Sequence, residues 1–180
     1  DVLPGSIVTA VHAFQAQGGI VVADERVCPA IVADIKLPVY LRTKDAAADK
    51  AALLERAATL RSALDETYRP AADSTEAEVI PYRRRFGTTD YLFAINDRRE
   101  YGDYVGQHGL VMEKGLPANS TLTLARSGHV YDLLEGRPVM PTTTENGLAV
   151  DVTLEPGDGR LLMVTEKAIH DVVVAGPETG

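Results

Sequence analysis

The sequence predicts a mainly β protein, an antiparallel β-sandwich of about seven to nine strands with an N-terminal α/β segment and one connecting helix. Short apolar runs follow one another from residue 78 onward, and glycine-containing turns separate them. A single long helical pattern lies upstream of these runs. The expected division is therefore a partial α/β segment at 1–44, a connecting helix and linker at 45–77, and the sandwich at 78–180.

Strand alternation is clearest in the segment STLTLAR. Leu122 and Leu124 fall on one side of this strand and Thr121 and Thr123 on the other, which is typical of a strand with one buried face. The first turn of the sandwich is placed at residues 87–90, where a glycine precedes two threonines and an aspartate. The side chains predicted to be buried in the sandwich are those of Leu122, Leu124, Val130, Leu133, Val150, Val152, Leu154, Leu162, Val164 and Val173.

The N-terminal segment has the pattern of half a βαβ unit. Apolar residues at helical spacing predict a helix that Ser6 caps and Gly18 ends. The following run IVVA predicts a strand buried on both faces, and the next apolar run is interrupted by Pro38, as an edge strand can be. Because so few strands cannot complete a parallel sheet, we expect an uncovered edge or apolar surface here. The residues concerned are Ile20, Val21, Val22, Ile31, Val32 and Ile35.

The strongest helical pattern spans residues 45–66. Asp45 is the expected cap, and alanine-rich turns follow it. One side of the helix is apolar, which predicts packing against a sheet. The residues on that side are Leu53, Leu54, Ala57, Leu60 and Leu64.

Charge and composition exclude several classes of function. The net charge of −8 argues against nucleic acid and anionic membranes as partners, because both favour basic surfaces. The four histidines lack the spacing of a zinc site, and the glycine pairs are too few for a dinucleotide fingerprint, so we predict neither metal nor cofactor. Tryptophan is absent, which weakens a sugar-binding interpretation. Five tyrosines could still stack on sugars, namely Tyr82, Tyr91, Tyr101, Tyr104 and Tyr131.

Several segments resemble parts of glycoside hydrolases. The segments VYDLLEGRPV at 130–139 and LAVDVTLEPGDGRLLMV at 148–164, with the final run VVV, resemble the β-sandwich that closes many of these enzymes. The segment DYLFAINDRREYGDYVG is similar to a strand of such domains that ends in Asn-Asp. The segment FQAQGGIVVAD resembles the end of an amidotransferase-like, Rossmann-type module, which precedes the terminal sandwich in β-galactosidase-like enzymes.

This resemblance implies a non-catalytic accessory region that packs on or completes a carbohydrate-active catalytic domain. That domain would belong to the same parent chain or to a second chain. No catalytic residue is carried over, because the paired carboxylates of those enzymes come from their barrel. Two alternatives stay open: a stand-alone carbohydrate- or protein-binding module, and an enzyme of unrecognised type that uses acidic residues.

The densest polar and aromatic stretch lies between residues 97 and 108, and it is the first candidate for ligand contacts. A surface loop with self-pairing charges is the alternative interpretation of this stretch. Asp24 and Glu25, just past the predicted buried strand, are a second candidate, since open α/β sheets place ligands at that end. The candidate residues of the first stretch are Asp97, Arg98, Arg99, Glu100, Tyr101, Asp103, Tyr104 and His108.

Overall fold

A computed structural model of the chain describes residues 3–26, 30–43, 45–105 and 110–171. The chain forms two compact units, one ending at Arg69 and the other beginning at Pro70. The first unit contains two helices and two short parallel strands, and the second contains the antiparallel strands. The three-part division predicted from the sequence stays a prediction.

The first unit begins with helix α1 (Gly5–Ala16). Pro4 occupies the cap position that was predicted for Ser6, which lies inside the helix instead. Pro4 has no side-chain hydrogen bond to the helix, and its backbone carbonyl accepts the N–H groups of Ile7 and Val8 at 2.9 and 3.2 Å. Gly18 ends the helix as predicted, with a φ of +85° and an N–H that donates to the Gln15 carbonyl at 2.9 Å.

Two three-residue strands follow and pair in parallel, β1 (Val22–Asp24) with β2 (Ile35–Leu37). The second strand ends directly before Pro38, as the sequence predicts. Val32 is 71% exposed, and none of the six apolar residues singled out in this segment is buried. The predicted apolar exposure of residues 1–40 is therefore confirmed, whereas the domain or chain that would cover it stays a prediction.

Helix α2 (Ala46–Asp65) closes the first unit. The Asp45 carboxylate accepts hydrogen bonds from the backbone N–H groups of Ala47 and Ala48 at 2.9 and 3.0 Å, so the predicted cap is confirmed. Leu53 and Leu54 are 48% and 46% exposed, so the apolar side of the helix is only partly covered. Among the described residues, no helix is both long and apolar enough to cross a membrane.

The second unit is built from antiparallel strands. The segment 68–77, which has the composition of a linker, contributes the first of them. The strands are β3 (Ala72–Ser74), β4 (Val79–Phe86), β5 (Thr89–Asn96), β6 (Arg99–Val105), β7 (Leu110–Gly115), β8 (Ala118–Leu124), β9 (His129–Asp132), β10 (Arg137–Val139), β11 (Thr142–Thr144), β12 (Gly147–Leu154) and β13 (Gly159–Thr165).

Nine of these strands form two antiparallel sheets, which confirms the predicted sandwich. One sheet has five strands in the order β10-β9-β13-β5-β4, and the other has four in the order β11-β12-β8-β3. Strands β6 and β7 pair only with each other among the described residues and form a separate hairpin. All of the pairings within the two large sheets are antiparallel.

The core lies between the inner faces of these two sheets. Each fully buried Leu or Val side chain contributes on the order of 1.5–3 kcal/mol to folding, so this cluster is the main source of stability. The five-stranded sheet contributes Val79, Leu92, Ala94, Val130, Leu162 and Val164, and the four-stranded sheet contributes Ala118, Leu122, Leu124, Leu148, Val150 and Leu154.

Two further sequence predictions about single positions are wrong. Leu133 is 40% exposed, because β9 ends at Asp132 and the Asp132 carboxylate turns the chain by accepting the Leu134 N–H. Asp90, placed in a turn by the sequence, is the second residue of β5 and has no exposed surface. Val152 is half-buried, and Val173 lies outside the described residues.

Candidate functional site

The five-stranded sheet carries an apolar outer face, turned away from the four-stranded sheet. Its side chains alternate with those of the core along β4, β5, β9 and β13. Ile80 lies opposite Ile95, and Tyr82 lies opposite Phe93, so bulky residues are adjacent across neighbouring strands. The residues of the apolar outer face are Ile80, Tyr82, Tyr91, Phe93, Ile95, Tyr131, Leu161 and Met163.

The side of this face formed by β4 and β5 is open to solvent, whereas Leu161 and Met163 on the central strand β13 are half-buried. Ile80, Tyr82 and Ile95 are 52%, 53% and 56% exposed, and Phe93 is 40% exposed. Single exposed apolar side chains are ordinary, whereas a contiguous group of them marks an interaction surface. The apolar outer face is therefore the strongest candidate for a functional surface in the second unit.

Three of the five tyrosines considered for sugar stacking lie on the apolar outer face. The Arg84 guanidinium lies 5.1 Å from the ring centroid of Tyr82, a cation–π contact that fixes the ring. The Tyr131 hydroxyl accepts the N–H of Ile169 at 2.6 Å, so its polar end is already occupied. The side chains of Tyr101 and Tyr104 lie outside the described part of the structure.

The polar stretch singled out from the sequence leads into the β6–β7 hairpin. Asp97 and Arg99 form an ion pair at 3.2 Å. Arg98 lies 3.9 Å from the Glu78 carboxylate and donates to the Pro117 carbonyl at 3.1 Å. The Asp97–Arg99 pair lies within the stretch, as the self-pairing interpretation expects, whereas Arg98 contacts residues outside the stretch. Exposed ion pairs of this kind contribute little stability. Glu100 is exposed, while the side chains of Tyr101, Asp103 and Tyr104, and all of His108, lie outside the described residues.

Asn96, which precedes this stretch, has a structural role. Its side-chain amide donates to the carbonyls of Leu116 and Glu155, both at 2.8 Å. Its side-chain oxygen accepts the Arg98 N–H at 3.0 Å. One buried side chain thus joins the ends of three separate segments at this end of the sandwich.

We expect Asn96→Ala to lower the free energy of unfolding by about 2–3 kcal/mol, because two carbonyls lose their donors in a buried site. The matched control is Asn119→Ala, since Asn119 is exposed and accepts one hydrogen bond from Thr153 at 2.9 Å. The control should change stability by less than about 0.5 kcal/mol. Urea unfolding of both variants gives the comparison, and equal losses would contradict the role assigned to Asn96.

Asp24 and Glu25 lie at the end of β1, as predicted, beside a cavity of about 390 Å³. Glu25 is exposed and the Asp24 side chain is 26% exposed. The Asp24 carboxylate accepts the Arg26 backbone N–H at 2.8 Å, and this bond lowers its pKa below the ordinary value. Among the described residues, the Asp24 carboxylate forms its hydrogen bonds and its ion pair with Arg26, which lies two residues further along the same turn.

Sequence reasoning missed the most strongly charged cluster of the second unit, which surrounds Asp90. Oδ1 of this carboxylate accepts Nε of Arg83 at 2.8 Å and Nε of Arg85 at 3.1 Å. Oδ2 accepts Nη2 of Arg85 at 3.3 Å and Nη1 of Arg126. Because Arg83 and Arg85 belong to β4 and Arg126 follows β8, the cluster links the two sheets of the sandwich.

Burial raises the pKa of Asp90, but the hydrogen bonds from Arg83, Arg85 and Arg126 outweigh burial and hold the pKa well below its ordinary value. The carboxylate is therefore charged at neutral pH although its surface is covered. A sequence signal did exist, since Arg83 and Arg85 alternate along a strand whose partner carries Asp90. Among the described residues, no group of three or more His, Cys, Asp or Glu is placed to hold a metal ion.

Comparison with known proteins gives two partial structural similarities. One is to a catalytic mutant of a family 42 β-galactosidase from G. stearothermophilus, with 16% identity over 62% of this chain and a TM-score of 0.35. The other is to α-L-fucosidase isoenzyme 2 from Paenibacillus thiaminolyticus, with 14% identity over 70% of this chain and a TM-score of 0.45. The chain spans 12% and 19% of these two proteins. No protein-family model and no curated protein matches it.

Proposed function

We propose that this chain is a non-catalytic accessory region of a larger glycoside-hydrolase-like protein, whose sandwich packs on or completes a carbohydrate-active catalytic domain. The observation that carries the proposal is the apolar outer face of the five-stranded sheet, where Ile80, Tyr82 and Ile95 are each more than half exposed. The resemblance of segments 130–139 and 148–164 to terminal sandwiches of glycoside hydrolases supports the class of partner.

The dimensions of this face suit the centre of a protein interface. Strands β4 and β5 have eight residues each. The other three strands of the sheet have seven, four and three residues. The five strands therefore average about 20 Å in length and span about 19 Å side by side, which gives a plan area of roughly 380 Å². Stable interfaces bury about 800 Å² on each partner, so the apolar outer face is large enough to form about half of such an interface.

The chemistry of the face favours a folded protein as its occupant. Ile80 and Ile95 form a cross-strand pair without hydrogen-bonding groups, which matches the apolar core of an interface. Arg84 lies at the side of this core, stacked on Tyr82, and arginine and tyrosine are enriched at interface hot spots. The partner domain should therefore present an apolar patch with a carboxylate facing Arg84.

A stand-alone sugar-binding module is the second candidate, and one observation favours it. Tyr82, Tyr91 and Tyr131 lie on the same face of one sheet, where aromatic rings could receive the apolar side of a sugar ring. This candidate predicts that oligosaccharides bind the chain in the absence of any protein partner. Titration of the chain with neutral oligosaccharides, followed by tyrosine fluorescence, distinguishes it from the docking proposal.

The docking proposal is tested by calorimetry with the proposed catalytic domain, whether it belongs to the same parent chain or to a second chain. We expect saturable binding at a 1:1 ratio with a negative heat-capacity change, because apolar surface leaves water on association. A titration into a second sample of this chain is the control for self-association. Absence of binding to the catalytic domain would contradict the proposal.

A further inference from the structure

A second surface lies at the end of the sandwich where β4 and β13 end and β9 begins. It is a cavity of about 650 Å³, open to solvent, and it belongs neither to the apolar outer face nor to the polar stretch at 97–108. The Asp90 cluster lies beside it, since two of the three arginines that bind Asp90 also line the cavity. The lining residues are Arg85, Arg126, Ser127, Gly128, His129 and Glu166.

The cluster beside this cavity has an excess of positive charge. Three guanidinium groups surround the single Asp90 carboxylate, and both oxygens of that carboxylate are occupied. Arg126 also donates hydrogen bonds to two backbone carbonyls, from Nε to that of Ser127 at 3.0 Å and from Nη1 to that of Thr88 at 3.0 Å. The side chain of Arg126 is only 11% exposed, so its role is to support the cavity wall.

Arg85 is the cation that solvent can reach. Its side chain is 57% exposed, yet its Nε and Nη2 are held by Asp90. A guanidinium has five N–H donors, and Asp90 accepts from only two nitrogens, so Arg85 retains donors for another acceptor. A guanidinium whose orientation is already fixed loses less entropy when it binds a planar anion.

Glu166 and Ser127 give the cavity further polar groups. The hydrogen bonds that Arg85 donates to Asp90 raise the pKa of Arg85 above its ordinary value, and the nearby charge of Glu166 adds to this shift. A ligand in the cavity therefore meets a cation and, close to it, a carboxylate that can accept hydrogen bonds. A bare anion would be repelled by Glu166, whereas an anion that also carries hydroxyl donors would satisfy both groups.

The backbone keeps this cavity in shape. Gly128 has a φ of +149°, and a side chain there would come within 2.5 Å of the Thr165 carbonyl oxygen. Only glycine therefore lets the turn before β9 approach the end of β13 so closely. This approach brings His129, the first residue of β9, and Glu166, the residue after β13, to the same cavity.

We propose that this cavity binds a small hydroxylated carboxylate, of the kind a uronic acid presents. Arg85 holds the carboxylate and Glu166 and Ser127 bind the neighbouring hydroxyl groups. The site is separate from the docking face, so either proposal can fail without the other.

The test uses the intact chain and three probes at constant ionic strength: glucuronate, acetate and glucose. Two-dimensional NMR should show saturable shifts of the Ser127, Gly128 and His129 amides with glucuronate. Its dissociation constant should be at least tenfold lower than that of acetate, and glucose should give no shift. In the unaltered protein, equal affinity for glucuronate and acetate, or equal shifts with glucose and glucuronate, would overturn the proposal. This outcome does not depend on the variants.

Three variants locate the site. Arg85→Gln should weaken glucuronate binding at least tenfold, because the exposed guanidinium is removed. Arg84→Gln is the matched control, since Arg84 is the next residue of β4 but stacks on Tyr82 instead of meeting Asp90. Arg85→Lys covers the case in which Arg85→Gln fails to fold, and it should bind with intermediate strength. Glucuronate binding that is equally sensitive to the Arg84 and Arg85 variants would also overturn the assignment.

Discussion

Replacing Asp90 by asparagine is expected to lower the free energy of unfolding by about 3–5 kcal/mol, the range for removing one partner from a buried ionic network. The change is nearly isosteric, so packing is retained while the carboxylate that pairs with Arg83, Arg85 and Arg126 is neutralised. Asp90 has no exposed surface, and Arg83 and Arg126 are only 22% and 11% exposed, so water cannot fully solvate the positive charges left unpaired. Urea unfolding followed by circular dichroism measures the loss.

Asp97→Asn is the matched control for this measurement. Asp97 forms an ion pair with Arg99, but its side chain is 45% exposed, so the same substitution should cost at most about 1 kcal/mol. The difference between the two losses of unfolding free energy gives the effect of burying the carboxylate within the arginine cluster. A loss below about 1 kcal/mol for Asp90→Asn would contradict the role of this carboxylate as the link between the sheets.

At acid pH, the free energy of unfolding of Asp90→Asn should come closer to that of the unaltered chain. The folded-state pKa of Asp90 lies below its unfolded value, so its contribution is fully present above the unfolded pKa of about 3.9 and is lost as pH falls toward the folded value. The gap in unfolding free energy should therefore be constant from pH 7 to 5 and should shrink below pH 4. A gap that does not change with pH would show that the loss is not electrostatic.

The second large effect is expected on the apolar outer face. The double variant Tyr82→Thr with Phe93→Thr removes a cross-strand aromatic pair and keeps residues that favour strands. We expect its affinity for the proposed catalytic domain to fall by about a hundredfold or more, because a few exposed aromatic residues carry most of the binding energy in many interfaces. The unfolding free energy of the isolated chain should fall by no more than about 1 kcal/mol, since both side chains are exposed.

Thr142→Ala is the control for the double variant. Thr142 is an exposed residue of β11, at the edge of the other sheet, so its loss should leave both affinity and stability unchanged. Calorimetric titration of each variant with the catalytic domain gives the comparison. If the double variant binds as tightly as the unaltered chain, the apolar outer face is not the docking surface.

The fold could be predicted because its signals are local. Alternation in STLTLAR, glycine turns and the Asp45 cap each depend on residues that are close in sequence, and the structure confirms the resulting sandwich and helix. Leu133 was misplaced because the strand ends one residue earlier, where Asp132 begins a turn. Two adjacent leucines do not show from their pattern alone where a strand stops.

The candidate surfaces were harder to predict because they depend on pairing between distant strands. Asp90 was assigned to a turn, since it follows a glycine and two threonines, and its arginine partners include Arg126 from the other sheet. The apolar outer face likewise requires the register that sets Tyr82 opposite Phe93. The sequence indicated this face only through a strand with bulky residues on both sides, and that pattern does not show which side is exposed to solvent.

The most direct test of the docking proposal is hydroxyl-radical footprinting of the intact product, which is this chain together with the proposed catalytic domain in one parent chain or as two chains, compared with this chain in isolation. Tyr82, Phe93 and Ile95 should be modified readily in the isolated chain, where they are 40% to 56% exposed. In the intact product their modification rates should fall at least fivefold, while the rate at the 92% exposed Met140, which serves as internal reference, stays the same. Equal rates at these three residues in both samples would contradict the proposal that this face packs on a catalytic domain.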